Sequence, residues 1–431
     1  MEKISRRTFM KLGGISSAFL FTRNINIDKL TNPEDKFMDF REIGPNFSER
    51  GDGVRSIFVN PQNSNEIVVG SFMSGSFYSY DGGNNWQNFI LPNNENIDAN
   101  LNTIRDIILL DSNHILMVAD YSIMTMSIGH DPGRTSNGNI ESEKLSGGPQ
   151  TACLIGDEVV IAGYSGFYKT KTKKLLESQN FGSYYDWGES KKIGDLPFSM
   201  IRSLKYDNLN NILYAGGWMS PKDEYTGQLW PGTGLYQSFD RGETFQKHSF
   251  YDLMIDPKGP VSINSIESIR FKGHDIVIIG GEGVSPEIQA SPDVWPVVYI
   301  LVDGAMYDKQ LTNNYGLVNQ AGVGLITPQR GIIASQLTEK LYISSYSGNI
   351  VTVNLDSIIN REFLDWTNIT PNRNGENLFS SGHMRLTHSD REYLQLTVGG
   401  QSWSGARMPV PVRTADIHFE TKKIPRNTHK R

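Results

Sequence analysis

At 431 residues the chain exceeds the size at which one hydrophobic core usually splits, unless the fold is a closed all-β architecture. Its 42 glycines, 10% aromatic content and frequent Asn, Asp and Ser clusters suit short strands joined by tight turns. A net charge of −6 argues against nucleic acid as a partner, and a single cysteine excludes an internal disulfide.

The first residues read S-R-R-T-F-M-K from Ser5 to Lys11, followed by a short, moderately apolar run over 12–21. This resembles a twin-arginine export signal, with Arg6 and Arg7 as the paired basic residues. The resemblance implies export in the folded state to the periplasm or the cell exterior. The apolar run is too short for an ordinary membrane span. No small-residue cleavage site follows Phe21, so a retained segment acting as an anchor is compatible with it. The expected organisation is a signal and linker over 1–30, one domain over 37–420, and a basic tail over 421–431. The tail carries Lys422, Lys423, Arg426, Lys430 and Arg431.

Strand-like runs then recur along the chain: I-V-V-G at 67–70, L-M-V-A at 116–119, V-I-A-G at 160–163 and L-Y-A-G at 213–216. V-I-I-G at 277–280, L-Y-I-S at 341–344 and L-T-V-G at 396–399 complete the series. Their last residues are spaced 44 to 64 positions apart, which suits a repeating four-stranded unit. Each is preceded by another apolar strand, and most are followed by a third carrying an aromatic or apolar pair, such as Phe77-Tyr78 or Leu235-Tyr236. Repeated antiparallel units that cannot bury both faces alone predict an all-β, seven-bladed β-propeller, with six or eight blades also compatible. The segment 37–43 is expected to complete the last unit. Helix signals are weak; only 357–364 suggests a turn or two. Cys153, in T-A-C-L-I, reads as a buried small hydrophobe.

Two stretches share the form S-x-D-x-G-x-x-aromatic: Ser79, Asp81, Gly83 and Trp86, then Ser238, Asp240, Gly242 and Phe245. A short carboxylate can accept backbone N–H groups in a tight turn, and glycine permits positive φ. The pattern resembles the Asp-box (BNR) repeat of sialidases, xyloglucanase-type glycosidases and photosystem II assembly-factor propellers. That resemblance implies a structural turn, lying away from the functional face.

Function concentrates where periodicity breaks. The insertions expected are 130–149, 184–194, 218–233, 281–296 and 400–411. They hold Trp187, Trp218, Trp230, Trp295 and Trp403, whose rings beside polar neighbours suit carbohydrate stacking. Aligning the first strand of each unit places Arg55, Arg105 and Arg202 at one repeat position, with Glu267 and Arg385 as further members. Converging guanidinium groups form an anion clamp, and Asp106 and Glu267 would relieve their mutual repulsion. The loop acids Asp186, Glu189, Asp223, Glu224, Glu282, Glu287 and Asp293 are candidates for hydrolytic chemistry, yet no spacing selects a pair. The sialidase F-R-I-P motif is absent, and Met73 stands where xyloglucanase-type enzymes carry an acid. Two readings follow: a monomeric exported binding or assembly protein for a glycan or extracytoplasmic protein, and a carbohydrate-active enzyme on the same fold. No Cys/His cluster has metal-ligand spacing, so neither metal nor cofactor is expected; His383 and His388, five apart on a predicted strand, would lie on opposite faces.

Overall fold

The structure is a computed structural model. It describes residues 41–45, 53–71, 75–89, 103–119, 122–129, 135–139, 148–163, 166–177, 191–193, 201–217, 234–248, 261–284, 294–306, 331–344, 350–362, 364–369, 384–388, 393–398 and 412–418.

Among the described residues, hydrophobic runs bounded by turn residues form 28 strands in seven four-stranded antiparallel sheets. The first strand, β1 (Arg41–Gly44), belongs to the last sheet. Sheet 1 holds β2 (Val54–Asn60), β3 (Asn63–Ser71), β4 (Ser76–Ser79) and β5 (Gln87–Phe89). Sheet 2 holds β6 (Ile104–Asp111), β7 (His114–Ala119), β8 (Ser122–Ser127) and β9 (Thr135–Asn139). Sheet 3 holds β10 (Pro149–Ile155), β11 (Glu158–Gly163), β12 (Gly166–Lys171) and β13 (Lys191–Ile193). Sheet 4 holds β14 (Ile201–Asp207), β15 (Ile212–Gly217), β16 (Gly234–Ser238) and β17 (Gln246–Lys247). Sheet 5 holds β18 (Val261–Phe271), β19 (His274–Val284), β20 (Val294–Val302) and β21 (Ala305–Met306). Sheet 6 holds β22 (Ile332–Ser335), β23 (Lys340–Ser344), β24 (Ile350–Asn354) and β25 (Thr367–Asn368). Sheet 7 holds β26 (Met384–His388), β27 (Tyr393–Val398) and β28 (Val412–His418), and β1 closes it by pairing with β28.

The first strands touch in a cycle, β2 to β6, β10, β14, β18, β22, β26 and back to β2. The fold is therefore an all-β β-propeller. Every run that the sequence marked lies on the second strand of one sheet, with Gly399 just past the end of β27. Among the described residues two short helices occur, Thr172–Glu177 and Leu355–Ile359; the first is not among the expected elements, and the second begins and ends earlier than expected. Cys153 is half-buried, not buried. Among the described residues no helix is long and apolar enough to cross a membrane.

The core has no single centre. Its clusters sit in the seams: Phe58, Tyr78, Ile104 and Ile115 join sheets 1 and 2, and Ile300, Ile343 and Val351 join sheets 5 and 6. Polar fasteners run beside them. Ser56 Oγ donates to the Ile104 carbonyl at 2.9 Å and Ser203 Oγ to the Ile263 carbonyl at 3.5 Å. Between sheets 2 and 3 the buried Asp106 accepts from Thr151 Oγ1 at 2.9 Å and the Ala152 amide at 3.2 Å. The buried Glu66 accepts from Asn60 Nδ2, from the Tyr78 hydroxyl and from the Gly129 amide at the edge of sheet 2. Burial, then the Glu66 carboxylate, hold the Tyr78 hydroxyl well above its ordinary range.

Glycine is required where the next sheet approaches. A Cβ on Gly216 would stand 2.2 Å from Ser203 Oγ and 2.6 Å from Ile263 Cγ2, and one on Gly70 would meet Ser56 Oγ at 2.3 Å. Overpacking of this kind typically costs about 1–3 kcal/mol. Gly216→Ala is therefore expected to lower stability by about that amount in chemical denaturation, with the slope against denaturant unchanged.

His248, buried beside Tyr214, has its pKa pushed down to about 4 by burial alone. The unfolded imidazole takes up a proton near its ordinary 6.5, so this contribution is complete above that pH. Stability should fall between about pH 6.5 and pH 4, with a slope of up to about 1.4 kcal/mol per unit. His248→Phe should flatten that part of the stability profile; an unchanged slope would assign it to other groups.

Candidate functional site

Antiparallel order divides the molecule into two ends. The turns from first to second and from third to fourth strand lie at one end, and the connections from second to third strand and from sheet to sheet leave the other. The turns 61–62, 80–86, 208–211, 239–245 and 336–339 all mark the first end. The segments 218–233 and 399–411, bearing Trp218, Trp230 and Trp403, leave from the second; those residues lie outside the described set.

Both S-x-D-x-G turns sit at the first end. Ser79 Oγ donates to Asp81 Oδ1 at 2.9 Å and accepts the Gly83 amide at 2.9 Å; Asp81 then accepts the Asn85 amide at 2.9 Å and its Nδ2 at 2.6 Å. Ser238, Asp240 and Gly242 repeat this, with Thr244 giving its amide at 2.8 Å and its hydroxyl at 2.6 Å. Gly83 and Gly242 have φ of 90° and 91°, the left-handed region glycine favours. Each aromatic then reaches the preceding sheet. Trp86 Nε1 donates to the Ile43 carbonyl on the closing strand at 2.6 Å, and Phe245 stacks on Phe167 of sheet 3 at 4.3 Å.

The opposite end carries the second repeated device. Along β2, Val54 pairs with Ser71 and Ser56 with Gly70, so Arg55 is an extra residue in the ladder. The same one-residue bulge isolates Arg105 on β6, Gln150 on β10, Arg202 on β14 and Asn264 on β18. A bulge re-aims the inserted side chain and bends the strand. All five stand at the start of a first strand, the end from which the connections leave. Arg55, Arg105 and Arg202 are half-buried, whereas Gln150 and Asn264 are buried. Arg202 Nη1 lies 3.5 Å from Asn264 Oδ1, linking two neighbouring bulges. The Asn264 amide nitrogen is buried without a hydrogen-bond partner.

This corrects the expected alignment in sheet 5. Asn264, not Glu267, occupies the place of Arg202. Glu267 lies three residues further along β18, paired with Ile278, and forms an ion pair with Lys205 across the seam between sheets 4 and 5. Arg385 pairs with Thr397 without a bulge; its guanidinium donates to the Met384 carbonyl at 3.1 Å and the Ile107 carbonyl at 3.3 Å. Ile107 is on sheet 2, so Arg385 reaches past sheet 1. The carboxylate of Asp106 engages Thr151, Ala152 and its neighbour's amide. Gln150 and Asn264 carry no guanidinium group, so nothing in the letters sets them beside Arg55, Arg105 and Arg202. The bulge itself was legible only as a polar residue interrupting V-x-S-I or I-x-S-L.

Three expected insertions are partly strand. Residues 281–284 and 294–296 extend β19 and β20, with Glu282 opposite Pro296 and Trp295 opposite Gly283. The stretch 130–149 contains β9, and 184–194 contains β13. Trp187 lies outside the described residues, on a connection that leaves sheet 3 at the turn end. Asp186, Glu189, Asp223, Glu224, Glu287, Asp293, Met73 and His383 also lie outside them, as do Arg6 and Arg7. No cluster of three or more metal-ligating side chains occurs among the described residues.

No family model and no curated protein matches the chain. Among solved structures it is similar to the extracellular domain of a protein described as a hybrid two component system from B. thetaiotaomicron. The TM-score is 0.53 and the identity 14%, over 88% of this chain and 40% of that one. It is also similar to an ancestral GH74 enzyme, with TM-score 0.54 and 12% identity over 86% of this chain and 48% of that one. The chain thus spans less than half the length of either, and the likeness is one of fold.

The Asp240 carboxyl is held below its ordinary 3.8; burial raises it, and the Thr244 and Ser238 hydrogen bonds together outweigh that. A carboxyl lowered on folding contributes stability above its unfolded value that is lost as pH falls through the folded value. Asp240→Ala is expected to cost about 1 kcal/mol at pH 7, as for a lost hydrogen-bonded acceptor near the surface. The gap from wild type should narrow as pH falls below the ordinary carboxyl value of 3.8 and on through the lower folded one; a gap that persists in acid would mean the loss is one of packing.

Proposed function

We propose that this protein is an exported Asp-box propeller whose seven sheets are its blades, acting as a binding or assembly protein. Its ligand is a glycan or an extracytoplasmic protein, held at the end of the disc from which the long connections leave. The carrying observation is the repeated bulge that starts five of the first strands with Arg55, Arg105, Gln150, Arg202 and Asn264. Recurrence of one irregularity at one position indicates a device, because a bulge sacrifices ladder hydrogen bonds that a regular strand would keep. Three of the five residues are arginines, whose planar donors match carboxylate, sulfate or phosphate groups. The serine–aspartate turns supply the complementary argument: their carboxylates are engaged by hydrogen bonds at the opposite end, which leaves them a structural role. The export reading rests on the S-R-R-T-F-M-K stretch.

Glycan and peptide arrays with the purified chain, run beside Arg202→Ala and Arg105→Ala, test this proposal. Loss of about tenfold or more in affinity for anionic ligands is expected, with unchanged thermal stability. Arrays that stay blank for the wild type, or binding indifferent to both substitutions, would overturn it.

A further inference from the structure

Two bulged side chains meet at the seam between sheets 4 and 5. Arg202 Nη1 donates to Asn264 Oδ1 at 3.5 Å, and a guanidinium can only donate, so the contact fixes which corner of the amide is oxygen. The Nδ2 group takes the other corner. Asn264 is 1% exposed, and its Nδ2 has no hydrogen-bond partner. A buried donor left in this state costs stability, and native chains retain few of them. The next residue shows the same lapse. Ser56 and Ser203 follow their bulges and fasten their seams, whereas the Ser265 hydroxyl is buried with no partner. Above these residues sheet 5 rises. Its first strand begins three residues before the bulge, where β2, β6, β10 and β14 begin one residue before theirs. The added pairs, Ser262 with Glu282 and Val261 with Gly283, raise the sheet by two residues, or roughly 7 Å.

We propose that this seam holds a carboxylate-binding subsite, in which Arg202 supplies the charge and Asn264 Nδ2 the second donor. The subsite rests on the reading of the bulge end as the ligand end, and narrows it to one seam and one ligand group. Two planar donors side by side match the two coplanar oxygens of a carboxylate; a sulfate or phosphate ester presents a third oxygen that needs a further donor. The local charge agrees. Three residues beyond the two bulges, Lys205 and Glu267 neutralise each other across the same seam. Among the described residues there, the charge of Arg202 is what remains for a ligand, which suits a monoanion. Arg385 donates to the Met384 and Ile107 carbonyls, which commits it to the fold. The unliganded amide is covered. Its contact to Arg202 is long, and the Ser265 hydroxyl does not pin the start of β18, so a turn of the guanidinium onto the ligand uncovers Nδ2. Shelter from water beside the raised sheet strengthens both hydrogen bonds.

The test measures calorimetric binding of four probes to the full chain: tetragalacturonate, its methyl ester, sulfated cellotetraose and a tetraglutamate peptide. At least one carboxylate probe should bind about tenfold or more tighter than the ester and the sulfated sugar. Whether it is the sugar or the peptide tells the source of the group. Asn264→Asp should weaken that binding by about tenfold or more with no loss in melting temperature, because the new carboxylate takes Arg202 and repels the ligand. Asn264→Ala, which removes the donor without adding a charge, should weaken it by about threefold or more. Equal affinity for the sulfated sugar, no binding of either carboxylate probe, or binding unmoved by both Asn264 variants would overturn the subsite. Binding of the sulfated sugar that falls in Arg202→Ala and holds in Asn264→Asp rejects the subsite while keeping the bulge end as the ligand end.

Discussion

The fold depends on how one first strand meets the next. A four-stranded sheet has two faces and each must be covered, yet the neighbour arrives from a distant stretch of chain. At the seam between sheets 1 and 2, the Ser56 hydroxyl finds the Ile104 carbonyl, and Gly70 leaves room for Ile104 itself. Sheets 4 and 5 repeat the arrangement with Ser203, Ile263 and Gly216. Between sheets 2 and 3 the polarity is reversed, with Asp106 accepting from Thr151 and Ala152. Each contact satisfies a buried polar group and fixes the angle between sheets at once. Without it, the apolar clusters in the seams would hold the sheets together with no defined register.

That packing explains why the bulges stand where they do. The seam is made by the residue immediately after the extra one: Ser56 after Arg55, Thr151 after Gln150, Ser203 after Arg202. Inserting one residue lets a polar side chain leave the ladder while its neighbour still turns into the seam. The bulged side chains and the fastening of the disc are thus two outcomes of a single irregularity in the backbone: deleting the extra residue would disturb the seam, whereas trimming its side chain would not.

The two ends of the disc differ in chemical character for a related reason. At the turn end, Asp81 and Asp240 are committed to their own loops and the aromatics Trp86 and Phe245 to the preceding sheet. Trp86 also holds the closing strand, so the first of the two serine–aspartate turns secures the last sheet. At the other end the bulged arginines are only half-buried, and the connections bearing Trp218, Trp230 and Trp403 leave from there.

The sequence by itself determined the strand content, the second strand of every sheet and the closing strand near Ile43, because these are set by local apolar runs and turn residues. It also marked Ser79, Asp81, Ser238 and Asp240, whose partners lie within a few positions. Only the tertiary structure decided that Asn264, not Glu267, belongs with Arg202. Glu267 sits in an equally apolar strand three residues away, and letters alone do not reveal which residue the ladder skips. Gln150 was invisible for the same reason, since a bulge is a property of pairing between two strands. The seam partners of Ser56, Ser203 and Asp106 were equally out of reach: each depends on a residue 45 to 60 positions away, brought near only when the sheets close into a ring.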